Sequence, residues 1–307
     1  MPEELISVVV PTFNRAHLLA RTLPTYLQPE VGEIIVVDDC STDGTQEAIR
    51  ALQRKDARVK SLRCERNLKQ THAKNWGTRE AVFPLVYYGD DDSILIEGSL
   101  AALLRTMKER RADIVGARAP YMETPEDEAD VPAFLSRLPL LKGPIVEPLS
   151  LHVHFDRDAP GPLEAPFVHA AFLTRKELAI RILFDEGYRG NCYREETDFL
   201  VRARAAGASV WYEPRAVQAN LPRAGAGGGA HGTGPQGGSA FVARRLRYFS
   251  EAARNNWRFL RKNKKALAFV LGVDPPILYR QALFLSEIAR VILRWPFRKA
   301  AGRHGGR

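Results

Sequence analysis

Three consecutive carboxylates, Asp90, Asp91 and Asp92, stand directly after the apolar run Leu85–Tyr88. Adjacent like charges repel, and a divalent cation bound among them removes that cost. Mg2+ takes one or two protein carboxylates and completes its shell with substrate phosphate oxygens. An Asp-x-Asp at a strand end therefore suits a metal held against a diphosphate. The same triplet also reads as a solvated acidic turn in which Asp92 or Ser93 caps the next helix. In VVDDCSTDGT, residues 36–45, Asp38 and Asp39 fall where a strand leaves its sheet, suited to hydrogen-bonding a base or ribose. Asp43 reads as a turn or helix cap. PTFNR, residues 11–15, places Thr12, Asn14 and Arg15 after another apolar run, as ordinary loop residues or, for Arg15, as a partner for phosphate. FDEGYRGNCYREETDF, residues 184–199, groups Glu195, Glu196 and Asp198 at the start of a helical pattern. The helix dipole favours acids there. One of them could equally be a general base that deprotonates an acceptor hydroxyl, and spacing does not choose between the two readings.

These clusters need elements to position them, and the first half of the chain supplies an alternation of strands and helices. Strands are expected at Ile6–Val10, Ile34–Val37, Val59–Leu62, Leu85–Tyr88 and Asp113–Gly116, from apolar, β-branched runs. Helices are expected at His17–Leu27, Gln46–Gln53, Thr71–Ala81 and Leu100–Glu109. Such alternation implies βαβ units and a mainly parallel sheet, whose ligands sit beyond the carboxyl ends of the strands. The polar clusters after the first, second and fourth strands fall there. Met122–Pro166, rich in Pro and acids, reads as irregular surface with a short helix at most. Phe167–Thr174 reads as a strand and Asp198–Ala206 as a helix closed by Gly207. The composition AGAGGGAHGTGPQGGSA, residues 224–240, predicts a flexible loop. Beyond it lies a helical tail, Phe241–Lys265 and Ile277–Trp295, interrupted by Asp274-Pro275-Pro276.

The 307 residues suffice for one large domain or two modest ones. Cys40, Cys64 and Cys192 are scattered and contain no CxxC pair, which argues against a disulfide framework and a structural zinc. The opening MPEELISVVV lacks the basic flank of a signal peptide, and no uncharged apolar run approaches the ~18 residues of a membrane span. A cytoplasmic location is the expectation. Charge is uneven: from Arg244 onward there are 16 basic and 3 acidic residues, against 29 and 33 in the remainder. The tail is thus strongly basic and suits an anionic partner.

Taken in order, the motifs resemble glycosyltransferase family 2, an inverting group with the GT-A fold. VVVPTFNR resembles the family's opening strand, EIIVVDDCSTDGT its nucleotide-contacting segment, RNLKQTHAKNWG its N-x-G-x-x-x-A-R-N-x-G stretch, YYGDDDS its Asp-x-Asp strand end, and FDEGYRGNCYREETDFLVRARAAG its acceptor-side segment. The likeness runs from about Ile6 to Pro222. It implies a Rossmann-like, mainly parallel mixed sheet flanked by helices over residues 1–222, with a nucleotide-sugar half of about 1–116 and an acceptor half of about 117–222. A Gly-rich loop, 223–240, and a C-terminal helical extension, 241–307, would follow. The resemblance also implies Mg2+ or Mn2+ and a nucleotide-sugar donor, UDP-linked by the family's habit. Carried over, it assigns Pro11, Thr12 and Arg15 to the donor's nucleotide and Asp39 to its base. Asp90 and Asp92 fall on the metal and diphosphate site, with Asp92 the direct ligand and Asp91 beside them. Glu196 falls on the catalytic base, with Glu195 its close competitor because the family writes Glu-Asp where this chain has Glu-Glu. Asp198 would hold the segment or the acceptor.

Three departures bear on the site. Lys69 stands for the usual Gly. Lys74 stands for the usual Arg, keeping a charge near the donor but losing bidentate phosphate binding. Asn220-Leu221-Pro222 stands where many relatives have a histidine that joins the metal. The third protein contact would then be Asn220, His231 of the Gly-rich loop, or none.

A carbohydrate or lipid-linked acceptor is expected, as in cell-envelope polysaccharide or glycolipid synthesis. The tail over residues 277–307, apolar with arginines and a Trp, suits peripheral attachment to an anionic membrane surface on the cytoplasmic face. Packing on the catalytic domain is its competitor, and nucleic acid stands well behind. No Gly-rich phosphate loop or GxGxxG follows the first strand, against a nucleotidyltransferase or dinucleotide-binding dehydrogenase. The reading from a different class is a catalytically degenerate nucleotide-sugar-binding protein attached to a membrane by its tail.

Overall fold

The computed structural model describes residues 4–222, residue 226 and residues 238–301, with side chains in the C-terminal part described over 240–293. Nearly all of the expected Gly-rich loop, His231 included, lies outside the described residues. In chain order the first half comprises β1 (Ile6–Thr12), α1 (Ala16–Thr22), β2 (Val31–Asp38), α2 (Thr45–Gln53), β3 (Val59–Arg63), α3 (Lys69–Glu80), β4 (Leu85–Tyr88), β5 (Ser93–Leu95), α4 (Ser99–Glu109) and β6 (Ile114–Arg118). The helix expected through Leu27 stops at Thr22 and tightens into a 3-10 turn at Leu23–Tyr26, because Pro24 has no N–H to continue an α-helix. Asp43 forms the turn that leads into α2, its carboxylate accepting the Thr45 N–H at 3.0 Å, while Gly44 stands at the N-cap.

The second half comprises α5 (Pro125–Ala129), α6 (Val131–Ser136), β7 (Leu163–Glu164), β8 (Phe172–Arg175), α7 (Lys176–Ile182), α8 (Glu195–Ala205) and β9 (Val210–Asn220). The tail forms α9 (Gly238–Lys262), α10 (Lys264–Leu271) and α11 (Ile277–Ala301). Two expectations shrink here. The strand expected over Phe167–Thr174 is confined to Phe172–Arg175. The single first tail helix breaks at Asn263, which starts α10.

The strands form one mixed sheet in the order β3-β2-β1-β4-β8-β6-β9-β5, with β7 pairing β9. Strands β1 to β4 are mutually parallel, and β8 is inserted antiparallel between β4 and β6. Alternate residues of the central strands enter two cores. Val8, Val10, Val36 and Tyr87 face one side; Val9, Val37, Val86 and Tyr88 face the other. This two-sided burial is what the near-continuous apolar runs require. On the second side α3 lies close to the sheet at Gly77, where a Cβ would come within 2.5 Å of Val9 Cγ1. Phe259, Leu260 and Leu267 of the tail join that same core, so the tail helices pack on the body.

Strand β9 does the most to build the site. It runs parallel to β6 as far as Glu213, where Pro214 ends the ladder, and resumes with Val217 opposite Arg118. Beyond this bulge it pairs antiparallel with β5, Ser93 opposite Asn220. A bulge inserts residues and re-aims the strand, and here it brings Gln218, Asn220 and Leu221 to the carboxylate triplet. No helix among the described residues is long and apolar enough to cross a membrane.

Candidate active site

The carboxyl ends of β1, β2 and β4 open into a cleft of about 1310 Å3 whose walls include Thr12, Arg15, Asp39, Asp90, Asp91, Asp92, His169, Glu196 and Asn220. That exceeds the ~300–1,000 Å3 of a typical small-ligand site. Pro11 also lines it. Asp39 is buried, and its two oxygens accept the Leu68 and Lys69 N–H groups at 2.6 and 2.8 Å. Lys69 donates from the left-handed region, φ 75°, so the residue that replaces a glycine keeps the glycine's backbone shape. Asp38 points the other way. Fully buried, it accepts from Ser41 N, Gln46 Nε2 and Arg63 Nη1 at 2.9, 2.6 and 2.6 Å. The expectation that Asp38 contacts the donor is therefore corrected: it braces the turn behind Asp39. Asn14 is likewise structural, its Oδ1 accepting the Thr42 N–H at 2.8 Å.

The triplet does not act as a helix cap, since β5 and Gly98 intervene before α4. Tyr26 and Gln218 form its floor. The Tyr26 hydroxyl donates to the Asp90 carbonyl at 2.9 Å and receives the Asp90 N–H at 3.0 Å. Gln218 Nε2 donates to Asp90 Oδ2 at 3.0 Å, while its Oε1 accepts the Tyr26 and Tyr87 hydroxyls at 3.2 and 2.8 Å. Arg15 Nε lies 3.5 Å from Asp91 Oδ1, and its Nη1 donates to the Ala226 carbonyl at 2.9 Å. The Asp92 carbonyl accepts the Leu221 N–H at 2.9 Å. Burial and the neighbouring charge of Asp92 push the Asp90 carboxyl up to about 7 and that of Asp91 up to about 6. Asn220 lines the cleft, but its amide is engaged, with Oδ1 accepting from Ser93 Oγ at 2.9 Å and Nδ2 donating to the Pro120 carbonyl at 3.2 Å. Among the described residues no group of three or more His, Cys, Asp or Glu side chains is arranged to hold a metal. An all-oxygen carboxylate set nonetheless fits a hard divalent ion that draws the rest of its shell from a bound diphosphate.

Glu195 and Glu196 begin α8 and receive one cation, Lys74 from α3. Its ammonium donates to Glu195 Oε1 at 2.8 Å and to Glu196 Oε1 at 2.6 Å. It also sits 5.1 Å from the Phe184 ring centre. The charge kept at position 74 is thus spent on the glutamates. The two acids differ sharply in placement. Glu195 is fully buried and takes a second donor, Gln70 Nε2, at 2.8 Å. Glu196 lines the cleft with 21% of its side chain exposed. Burial and the charge of Glu196 drive the Glu195 carboxyl well above the carboxylate range. Burial works the same way on Glu196, but Lys74 and a hydrogen bond from Glu195 overcome it and hold Glu196 at about 2. The two acids are thus pushed in opposite directions, the buried one toward its protonated form and the one facing the cleft toward its ionised form.

Asp198, expected in the catalytic group, is turned away from the cleft. It is fully buried and accepts from Arg202 Nε at 2.7 Å, Lys262 Nζ at 2.9 Å and Asn263 Nδ2 at 2.8 Å. Its role is to hold the segment, tying α8 to the tail helices through Lys262 and Asn263. Sequence reasoning passed over Gln218 and His169. His169 lines the cleft, accepts the Ala171 N–H on Nδ1 at 3.3 Å, and is kept neutral by burial, which lowers it to about 4. Neither residue carries a local signal, being a lone polar residue in an apolar stretch.

Comparison with known proteins agrees with this architecture. Over 115 residues the chain is 36% identical to GalNAc(5)-diNAcBac-PP-undecaprenol beta-1,3-glucosyltransferase of Campylobacter jejuni, covering 36% of this chain and 37% of that protein. It is 36% identical over 114 residues to glycosyltransferase GlyG of Streptococcus pneumoniae, covering 36% of this chain and 38% of that one. The chain thus spans well under half the length of these relatives. Among solved structures, mannosyltransferase PcManGT from Pyrobaculum calidifontis, in complex with GDP-Man and Mn2+, superposes with a TM-score of 0.54 at 18% identity, covering 98% of this chain and 81% of that one. Likeness at that identity establishes a shared fold, here the GT-A type of mixed sheet with flanking helices and a C-terminal helical region. Residues 7–161 match the model of the family described as Glycosyl transferase family 2. That match covers half of the chain and includes the strand ends that carry Asp39 and the carboxylate triplet, and on it the chain belongs to glycosyl transferase family 2.

Proposed function

We propose that this protein is a metal-dependent inverting glycosyltransferase that moves a sugar from a nucleoside-diphosphate sugar to an acceptor hydroxyl. The observation that carries the reading is that one cleft is lined by Asp39, by the triplet Asp90–Asp92 and by the ionised Glu196. Asp39 receives the donor's base, with Pro11, Thr12 and Arg15 along the nucleotide. Asp92 and Asp90 hold Mg2+ or Mn2+ together with the diphosphate. The bound ion supplies electrostatic stabilisation of the departing nucleoside diphosphate. Arg15 adds positive charge beside Asp91. Glu196 takes the proton of the acceptor hydroxyl as its oxygen attacks the anomeric carbon. The cleft's volume, beyond that of one small ligand, supports simultaneous occupancy by donor and acceptor. The first relative's name supports a carbohydrate or lipid-linked acceptor, and a UDP-linked donor rests on the family's habit alone.

The test is hydrolysis of a panel of nucleotide-sugars with Mn2+, Mg2+ or EDTA, comparing the wild type with Asp92→Ala. The expected result is metal-dependent turnover of one donor, reduced by about 10²-fold or more in the variant. Metal-independent turnover that survives the substitution would overturn the metal assignment. Nucleotide binding by calorimetry, without turnover of any donor by the wild type in the presence of acceptor extracts, would favour a binding module.

Membrane attachment is the second part of the proposal. Phe269 and Leu278 are each 72% exposed on the tail, and exposed Arg261, Lys264, Lys265 and Arg290 accompany them. Apolar side chains with basic neighbours suit an anionic bilayer surface. The full chain is expected to sediment with phosphatidylglycerol vesicles at low salt, and a Phe269→Glu, Leu278→Glu variant to remain in the supernatant. Equal sedimentation of both would rule out attachment through these side chains.

A further inference from the structure

The loop that carries the glutamates to the cleft is strained. Between α7 and α8 the backbone turns through Cys192 at φ 52° and Arg194 at φ 73°, both L-residues in the left-handed region, with Gly190 at φ 62° beside them. Each such non-glycine residue carries backbone strain and persists only where its surroundings over-determine it. Arg194 is the N-cap residue of α8, immediately before Glu195. The helix orientation that buries one glutamate and presents the other to the cleft is therefore set at the end of this loop.

What over-determines the loop comes from the tail, about sixty residues further along the chain. Glu251 Oε2 accepts the Asn191 N–H at 3.0 Å. Asn255 Nδ2 donates to the Arg189 carbonyl at 2.8 Å and to Asn191 Oδ1 at 3.0 Å. Asn256 Oδ1 accepts from Arg194 Nε at 3.2 Å, and its own Nδ2 donates to Gln281 of α11 at 2.8 Å. Asn255 and Asn256 are both buried. A Cβ at Gly190 would collide with the Glu251 carboxyl, so the loop and α9 are in direct contact. Buried amides aimed at the backbone of a strained loop are costly unless they do this pairing.

We infer that helix α9 is a positioning element of the active site: through Glu251, Asn255 and Asn256 it holds residues 189–194 in the strained conformation that points Glu196 into the cleft. The tail then determines the competence of the base as well as contributing core. This rests on the glycosyl-transfer reading for its catalytic consequence but not for its structural one.

The experiment uses the full chain with Glu251→Ala, Asn255→Ala and Glu251→Gln. Amide hydrogen exchange is followed over all peptides, and UDP and GDP binding with Mn2+ is measured by calorimetry. In both alanine variants, exchange over 189–196 is expected to accelerate by about tenfold or more while the β1–β4 peptides stay within about twofold. Glu251→Gln, which keeps an oxygen for the Asn191 N–H, is expected to retain wild-type protection. With a donor that the wild type turns over, kcat of the alanine variants should fall at unchanged nucleotide affinity and donor KM. Unchanged exchange over 189–196, or acceleration spread evenly over the central strands, would overturn the inference. So would a full kcat in a variant whose loop has lost protection. Local acceleration in a protein that binds neither nucleotide and turns over no donor would leave the positioning role standing and sink the glycosyl-transfer reading.

Discussion

Glu196→Gln is expected to lower kcat by about 10²–10⁴-fold, the usual contribution of a general base, with donor affinity retained. The amide keeps an oxygen for Lys74, which now bonds Glu196 Oε1 at 2.6 Å, so the fold should survive; only the proton acceptor is removed. Glu195→Gln should behave differently. Burial favours the protonated form of Glu195, which glutamine resembles, and the amide oxygen still accepts from Lys74 and Gln70. A loss of less than about tenfold is expected there. Steady-state kinetics of the two variants side by side decide the matter. Near-normal transfer by Glu196→Gln with none by Glu195→Gln would move the base by one residue. Because Lys74 holds Glu196 at about 2, ionisation of this group alone predicts no loss of activity between neutral pH and about pH 4.

The second large effect is on folding. Lys74→Met is expected to destabilise the protein by about 3–5 kcal/mol near neutral pH, the cost of leaving a buried charge without its partner. Lys74 is 1% exposed and Glu196, which carries the charge, only 21%, so water replaces the lost ammonium poorly. The pH dependence follows from the sign of the change. Without Lys74 both glutamates have folded pKa values above their unfolded ones, so their protonated forms favour the native state. The variant's deficit is therefore smallest below the unfolded value of about 4.3 and grows as pH rises through the raised native values. Urea denaturation at about pH 4.5 and about pH 8 should show the gap between variant and wild type widening at the higher pH. Adding Glu196→Gln should recover part of it. A constant gap would mean that the loss comes from packing against Phe184, 5.1 Å from the ammonium.

Much of the site was legible because its chemistry is local. Three adjacent carboxylates after a four-residue apolar run announce a strand end, and the parallel alternation places strand ends on one edge. Asp90, Asp91, Asp92, Asp39 and Arg15 do meet there. The reading missed where direction mattered more than position. Asp38 and Asp39 are adjacent, and successive residues of an extended chain point to opposite sides; one serves Arg63 and Gln46, the other the cleft. Glu195 and Glu196 are separated by about 100° around a helix, and nothing in Glu-Glu says which of them the loop turns outward.

The amino-acid sequence by itself determined the alternation of strands and helices, the edge at which polar residues gather, the acidic character of the cleft and the basic character of the tail. Each of these follows from periodicity, composition or neighbours within a few residues. Only the tertiary structure decided which acid is buried, because that depends on Lys74, 121 residues away. It alone decided that Gln218 underlies Asp90, because a bulge in β9 had to carry the strand across to β5. It alone brought α9 onto the loop before Glu195. Contacts between distant segments are selected by the free energy of burying and pairing whole surfaces at once, and no local pattern encodes them.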